Sequence, residues 1–532
     1  MDKEDEIRNF IEEITNKIKP VTKEAQLSYW NAALSGKKED YDKYEELQVK
    51  LEELFHNKED FEKSREFLKQ DADELSKRQI DILYRAFLGS QGDINLIKEI
   101  IKKSTEIEKK FNTFRAKVND KEYTDNQIKD ILKEENDSEK LREFWEASKK
   151  QGELVEKELI EIIKLRNELA KSLGFENYHT MSLELSEQKV EDISSVYDKL
   201  AELTEIPFRN LKNEMDSILA KRYNIEVSEL KPWHYHDLFF QEGPRVYKID
   251  LDEYYSEDVI EFAKKFYKSI GLDAEDILDR SDLYEKPGKY QHACCIDIDR
   301  EGDVRIIQNT KNDYHWMSTT LHELGHAVYD KNINKNLPYF LRSHAHIFVT
   351  EAIAMLMGRL VENKNFIEKY CSKELDEEIS REIFKSLKSR QLVFARWAQV
   401  MFNFEKELYK NPEQDLNKLW YNIVKKYQML NFFRDKPDWA SKIHFVSSPA
   451  YYHNYLLGEL LASQLNNYIA KNIIKTDSLK IDYSDNREIG TYLKEKIFSP
   501  GRKYKWKELI EKATGEKLNP EYFVKEFVDP TG

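Results

Sequence analysis

The chain has 532 residues and a formal net charge of −15; 35% are charged, 12% are aromatic, and only 16 Gly and 12 Pro serve the whole length. At roughly 150 residues per domain that length allows three or four domains, but so few breakers indicate long helices and few tight turns. The aromatic content excludes a disordered chain, and the negative charge speaks against nucleic acid or an anionic bilayer as a partner.

The first two hundred residues read as one amphipathic helix after another. Tyr41, Tyr44, Leu47, Leu51 and Leu54 recur at steps of three and four, which gives an apolar stripe flanked by charge. Residues 190–285 continue the helical pattern, with a turn-rich break at Gln241-Glu242-Gly243-Pro244. The pattern then changes. Residues 292–299 and 304–308 are β-prone and flank Arg300-Glu301-Gly302-Asp303, which predicts a hairpin. Helices resume near residue 313, and a long one from about Asp376 to Lys410 stops before Pro412. No repeat or low-complexity linker divides the chain, so one intertwined unit over residues 1–532 is expected.

Cys294, Cys295 and Cys371 are too few for a disulfide framework, which points to a reducing compartment. The N-terminus lacks the basic and apolar regions of a secretory signal. The most apolar stretch, residues 345–361, is interrupted by His346 and Glu351 and is too short to span a bilayer. A soluble cytoplasmic protein is expected.

The chemistry is carried by His322-Glu323-Leu324-Gly325-His326, an H-E-x-x-H pattern. Residues four apart lie one helical turn apart on the same face, so both imidazoles can reach one metal ion. Glu323 follows the first ligand and can take a proton from water without binding the metal. Asn312 or Asp313 can cap this helix, and Met317, Leu321, Leu324 and Val328 give it a buried stripe. A catalytic zinc needs a third protein ligand and an open position. A histidine further along the same helix is ruled out, because Tyr329 and Asn332 stand where that extended pattern has Gly and His. Glu351 is the candidate. It is a lone carboxylate inside Ile347-Phe348-Val349-Thr350-Glu351-Ala352-Ile353-Ala354, and such a group does not stay ionised and dry without a partner. His344, His346 and His315 read as packing or supporting residues.

Hydrolysis also needs a group to stabilise the oxyanion. Residues 442–455 are dense in His and Tyr, and Tyr452 and Tyr455 stand three apart at the start of a helix. Their phenols, with the imidazole of His444, are candidate donors.

These residues resemble the helical zinc oligopeptidases, the clan of thimet oligopeptidase, bacterial oligoendopeptidases and angiotensin-converting enzyme. The segment from His322 to His326, Asn334-Lys335-Asn336-Leu337-Pro338-Tyr339 and the run ending at Glu351-Ala352 are closest to the oligoendopeptidases. His292-Ala293 and Lys442-Ile443-His444 followed by Tyr452 and Tyr455 are similar to the angiotensin-converting side. There the resemblance implies a substrate-contacting His-Ala, a catalytic His, an oxyanion Tyr, and a Lys and Tyr that bind a carboxylate. The spacing from His444 to Tyr452 is one residue longer than in that family, and Asn454 replaces its chloride-linked Arg.

The resemblance implies a mainly α, two-lobed clam with a small β element near 292–308 beside the zinc helix. It implies a helical lid lobe over residues 1–190 and a catalytic lobe over 191–532 with the zinc site at 322–351. On this reading one Zn²⁺ per chain is held by His322, His326 and Glu351. Glu323, Tyr455 and His444 are catalytic, and His292, Ala293, Lys442 and Tyr452 bind short peptide substrates, with neither nucleic acid nor membrane as partner. Two alternatives stay open: a carboxypeptidase or peptidyl-dipeptidase, and a catalytically dead peptide-binding scaffold. The oligomeric state is not legible.

Overall fold

The computed structural model describes residues 3–247, 249–255, 258–370, 374–476 and 481–528; Cys371 lies outside them. The fold is mainly α, as the scarcity of breakers predicts, with two small two-stranded sheets among the described residues. None of the described helices is long and apolar enough to cross a membrane. The chain groups into two compact units, each assembled from separated segments.

The first unit comprises Met1–Gln91, Asp250–Ser380 and Leu457–Tyr522. Its N-terminal helix, Lys3–Ser35, pairs with Lys38–Phe55. The stripe Ile7, Phe10, Ile11 and Ile14 clusters with Ile80, Leu83, Phe87, Tyr339 and Phe340. The sequence-read stripe on Lys38–Phe55 is only partly used: Leu47 is buried against Val21 and Ala25, while Tyr41 remains 39% exposed.

The hairpin expected near 292–308 is present. Strand Cys294–Asp297 pairs antiparallel with Val304–Ile307, in a register from Cys294 opposite Ile307 to Asp297 opposite Val304. The turn closes through Ile298 N–H donating to Asp303 O at 2.9 Å, with Arg300 and Gly302 in the left-handed region at φ 57° and 116°. Ile296, Ile298 and Ile307 cluster with Trp30 and Ala33 of the N-terminal helix. The N-terminal helix, which carries no motif, therefore supports the strand that follows His292-Ala293.

The second unit comprises Gly92–Ile249, Arg381–Leu456 and Phe523–Gly532. Its long helices include Ser138–Ser172 and Val190–Tyr223. The expected helix ending before Pro412 runs Glu377–Lys410. Phe402 and Phe404 on it meet Tyr197 and Trp420, each at 5.0 Å between ring centroids.

Two features of this unit depart from the sequence reading. A hairpin, Ala116–Val118 with Lys121–Tyr123, interrupts the helices of the first two hundred residues. Asn119 and Asp120 both take positive φ, 50° and 60°, as a tight two-residue hairpin turn requires. The break expected only at 241–244 is much longer. After Asn224 ends its helix at φ 53°, short 3-10 turns at Val227–Glu229 and Pro232–Tyr235 and irregular chain follow as far as Tyr247. Pro232 and the left-handed His236 and Phe240 prevent helix here. The Asp237 carboxylate takes the place of helical carbonyls, accepting from the N–H groups of Phe239 and Gln241 at 2.8 and 2.9 Å.

Candidate metal centre

The H-E-x-x-H residues lie on the helix Tyr314–Lys331. Asp313 caps it, its carboxylate accepting from Trp316 N–H at 2.7 Å. Met317, Leu321, Leu324 and Val328 are all buried, so one face is fixed in the core and the imidazoles are presented from another. The His322 and His326 rings lie 4.9 Å apart, as one helical turn requires.

The second helix, Ile347–Gly358, carries Glu351. The two helices cross at close range because position 325 is glycine: a Cβ there would stand 2.8 Å from Ala354 Cα. Gly458 does the same behind Glu351, where a Cβ would come within 3.2 Å of the Glu351 Cβ. The outcome is convergence. Glu351 Oε2 lies 3.7 Å from His322 Nε2 and 3.9 Å from His326 Nε2, and the three donor atoms fall within 4.8 Å of one another. Bonds of about 2.0–2.1 Å in a tetrahedral site put donors about 3.4 Å apart. The two Glu351 distances lie near that value. Two imidazoles and one carboxylate are the borderline N/O set that suits zinc, and three protein ligands leave a position open.

The electrostatics fit the same ion. Burial lowers His322 to about 4. Burial, then His322 and His344, hold His326 well below its ordinary value. Both rings are therefore neutral and free to donate a lone pair. Burial first, then Glu459, raises Glu351 to about 7. Burial first, then Glu351, raises Glu323 to about 8, opposed by a hydrogen bond from the backbone N–H of Cys295. Two buried carboxyl groups that resist ionisation side by side are what a divalent cation would relieve.

Three supporting contacts were not legible in the sequence. Thr350 Oγ1 lies 2.7 Å from His326 Nδ1. Arg359 approaches Glu459 at 3.6 Å, behind Glu351. The Cys295 N–H joins the hairpin strand to Glu323. The remaining histidines support the framework: His346 caps the Glu351 helix, His344 faces Asp330 at 3.7 Å, and His315 packs on Trp316. His292 and Ala293 stand immediately before strand Cys294–Asp297, with His292 exposed and its ring 5.4 Å from Tyr290. The edge of that strand away from Val304–Ile307 has no strand partner among the described residues.

Lys442, His444, Tyr452 and Tyr455 belong to the second unit, where the structure brings them together. His444 and Tyr452 rings are 5.0 Å apart, and Tyr452 and Tyr455 rings 5.4 Å. Trp397 Nε1–H donates to the Tyr452 hydroxyl at 2.7 Å. Tyr452 is buried, whereas Tyr455, on the first turn of helix His453–Ile469, is partly exposed. Lys442 Nζ donates to Gln241 Oε1 at 2.6 Å, and burial lowers the amine to about 8. Burial lowers His444 to about 4. A cavity of about 480 Å³ opens here, lined by Phe111, Tyr123, Lys129, Gln241, Lys442 and His444 among others.

This segment is held by residues that carried no sequence signal. Arg166, 3% exposed, donates to Phe445 O and Val446 O at 2.7 and 2.8 Å. Glu405 accepts from the N–H of the left-handed Ala450 at 2.7 Å. Gln188 bonds both Asn454 and His453, at 2.9 and 2.7 Å.

A sequence profile described as Peptidase family M3 matches residues 131–529, and one described as Angiotensin-converting enzyme matches residues 1–232. Among curated proteins, the chain is 25% identical to Carboxypeptidase 1 of Bacillus subtilis over 249 residues, 42% of this chain and 49% of that protein. It is 23% identical to Angiotensin-converting enzyme of Theromyzon tessulatum over 311 residues, 54% of this chain and 50% of that protein. It is 24% identical to Thermostable carboxypeptidase 1 of Pyrococcus furiosus over 359 residues, 62% and 68% of the two chains. The chain thus spans about half the length of the first two relatives it matches.

Proposed function

We propose that this chain, which belongs to peptidase family M3, is a zinc metallopeptidase that hydrolyses short, unfolded oligopeptides. The observation that carries the reading is the convergence of His322 Nε2, His326 Nε2 and Glu351 Oε2 beside a buried Glu323 that is not itself a member of that donor set. His322, His326 and Glu351 would hold one zinc ion, which when bound would supply Lewis acidity, lowering the pKa of a water toward about 7 and polarising a carbonyl. Glu323 takes the proton of the attacking water and passes it to the leaving amine. The Cys295 N–H holds the Glu323 carboxylate in place for that transfer. The open edge of strand Cys294–Asp297, entered through His292-Ala293, pairs with an extended peptide through its backbone groups. Tyr455 and His444 donate to the oxyanion. The free thiols of Cys294 and Cys295 suit a reducing, cytoplasmic setting.

A second reading concerns where the peptide is cut. The buried Lys442, hydrogen-bonded to the neutral amide of Gln241, lying over the rings of Phe239, Trp397 and Tyr452 and lining a cavity, is suited to hold a C-terminal carboxylate, with Tyr452 beside it. Two of the named relatives are carboxypeptidases. Digesting a library of short peptides in free-acid and C-terminally amidated forms, with products read by mass spectrometry, separates the two. A C-terminal anchor makes amidation raise KM, with products shortened from the C-terminus. Because Lys442 loses its proton as pH rises through about 8, that preference should fade above pH 8, while KM for the amides stays flat. Equal cleavage of acid and amide at internal bonds supports the endopeptidase. A library left uncut would contradict both.

A further inference from the structure

We infer that Thr350 is a positioning residue for the ligand His326 and sets the affinity with which this chain holds its metal ion. The inference rests on the zinc reading above. Thr350 Oγ1 lies 2.7 Å from His326 Nδ1, and the threonine is 2% exposed. His326 Nε2 is the ring nitrogen that faces Glu351 Oε2, at 3.9 Å. To bind a cation there, Nε2 must present its lone pair, so the ring hydrogen sits on Nδ1 and is donated to the Thr350 oxygen. The bond thus fixes both the tautomer and the ring plane.

The arrangement is economical in sequence. Thr350 and Glu351 are adjacent on one helix, about 100° apart around its axis. One grips the back of the His326 ring and the other faces its front. The β-branched threonine has few rotamers in a helix, so its oxygen is held in position. The bond can form only because Gly325 lets the His326 helix approach Ala354 so closely. Thr350 is also neutral. A carboxylate in its place would add another negative charge to a pocket already holding Glu323, Glu351 and Glu459. The two histidine ligands are unequal in this respect. His322 Nδ1 has no such partner among the described residues, and its side chain is 30% exposed against 15% for His326.

The test uses Thr350→Val, which keeps the shape and removes the acceptor, and Thr350→Ser, which keeps the acceptor. Zinc affinity is measured by competition with a chromophoric chelator, and ligand geometry from the visible spectrum of the cobalt(II)-substituted protein. Loss of an outer partner of a metal-bound histidine typically weakens binding about 10–100-fold. That loss and a changed cobalt spectrum are expected for the valine variant, while the serine variant stays within about threefold of wild type on the same scale. Melting of the metal-free proteins serves as control; if the valine variant does not fold, Thr350→Ala takes its place. Wild-type affinity and spectrum in the variant lacking the acceptor would overturn the inference. So would a serine variant as weak as the valine one, since packing and not the hydroxyl would then be responsible. Failure of the zinc reading itself looks different: the wild-type chain would then bind no zinc that His322→Ala removes.

Discussion

Glu323→Gln is expected to retain its zinc and to lose roughly 10²–10⁴-fold in kcat, the range typical of a general base. The amide is almost isosteric, and its carbonyl oxygen can still accept from the Cys295 N–H, so the hairpin strand and the motif helix remain joined. Only the ability to take a proton disappears. Substrate binding does not use that proton, so KM should change little. The assignment separates base from ligand, and the check is metal content beside kinetics. If the glutamine variant loses zinc as completely as His322→Ala, Glu323 is a ligand and the roles proposed here are wrong. A near wild-type kcat would be equally damaging.

The second large effect is expected at Tyr455. A neutral phenol donor matters most when the carbonyl oxygen becomes anionic, so Tyr455→Phe should lower kcat by about 10²–10³ with little change in KM. That loss corresponds to roughly 3–4 kcal/mol of transition-state stabilisation. The ring remains to pack against Tyr452, so zinc content and Tm should stay near wild type. Tyr452→Phe should behave differently. Its hydroxyl accepts from Trp397 Nε1–H in the core, and on the proposed reading it contributes to substrate binding, so KM should rise more than kcat falls. Should the larger kcat loss follow Tyr452→Phe, the two tyrosines have been assigned the wrong way round.

What could be read from the sequence was chemistry repeated at a fixed spacing. Two histidines one turn apart are legible because a helix converts that spacing into a shared face, and Glu351 because a lone carboxylate in an apolar run needs a partner. The 294–307 hairpin announced itself by β-branched runs around a glycine turn. The 116–123 hairpin did not: its three-residue strands carry as many charges as apolar side chains, and only the left-handed Asn119 and Asp120 define it. The supporting residues were hidden for another reason. Thr350 meets His326 across 24 positions, Gln241 meets Lys442 across 201, and Arg166 meets Phe445 across 279. Such pairs exist only once the helices are packed. Nothing in the composition of the helix Ser138–Ser172 marks Lys149 and Arg166 among its other charges as the ones that are buried.

The most direct test of the zinc reading is the metal content of the purified chain, followed together with peptide hydrolysis through one cycle of chelation and zinc return. One zinc per chain is expected, with loss of hydrolysis as the metal is removed, recovery on adding zinc, and no tight binding by His322→Ala. Full peptidase activity in metal-free protein would contradict it, and so would a zinc-loaded wild-type chain that cleaves no peptide, which would leave only a binding scaffold.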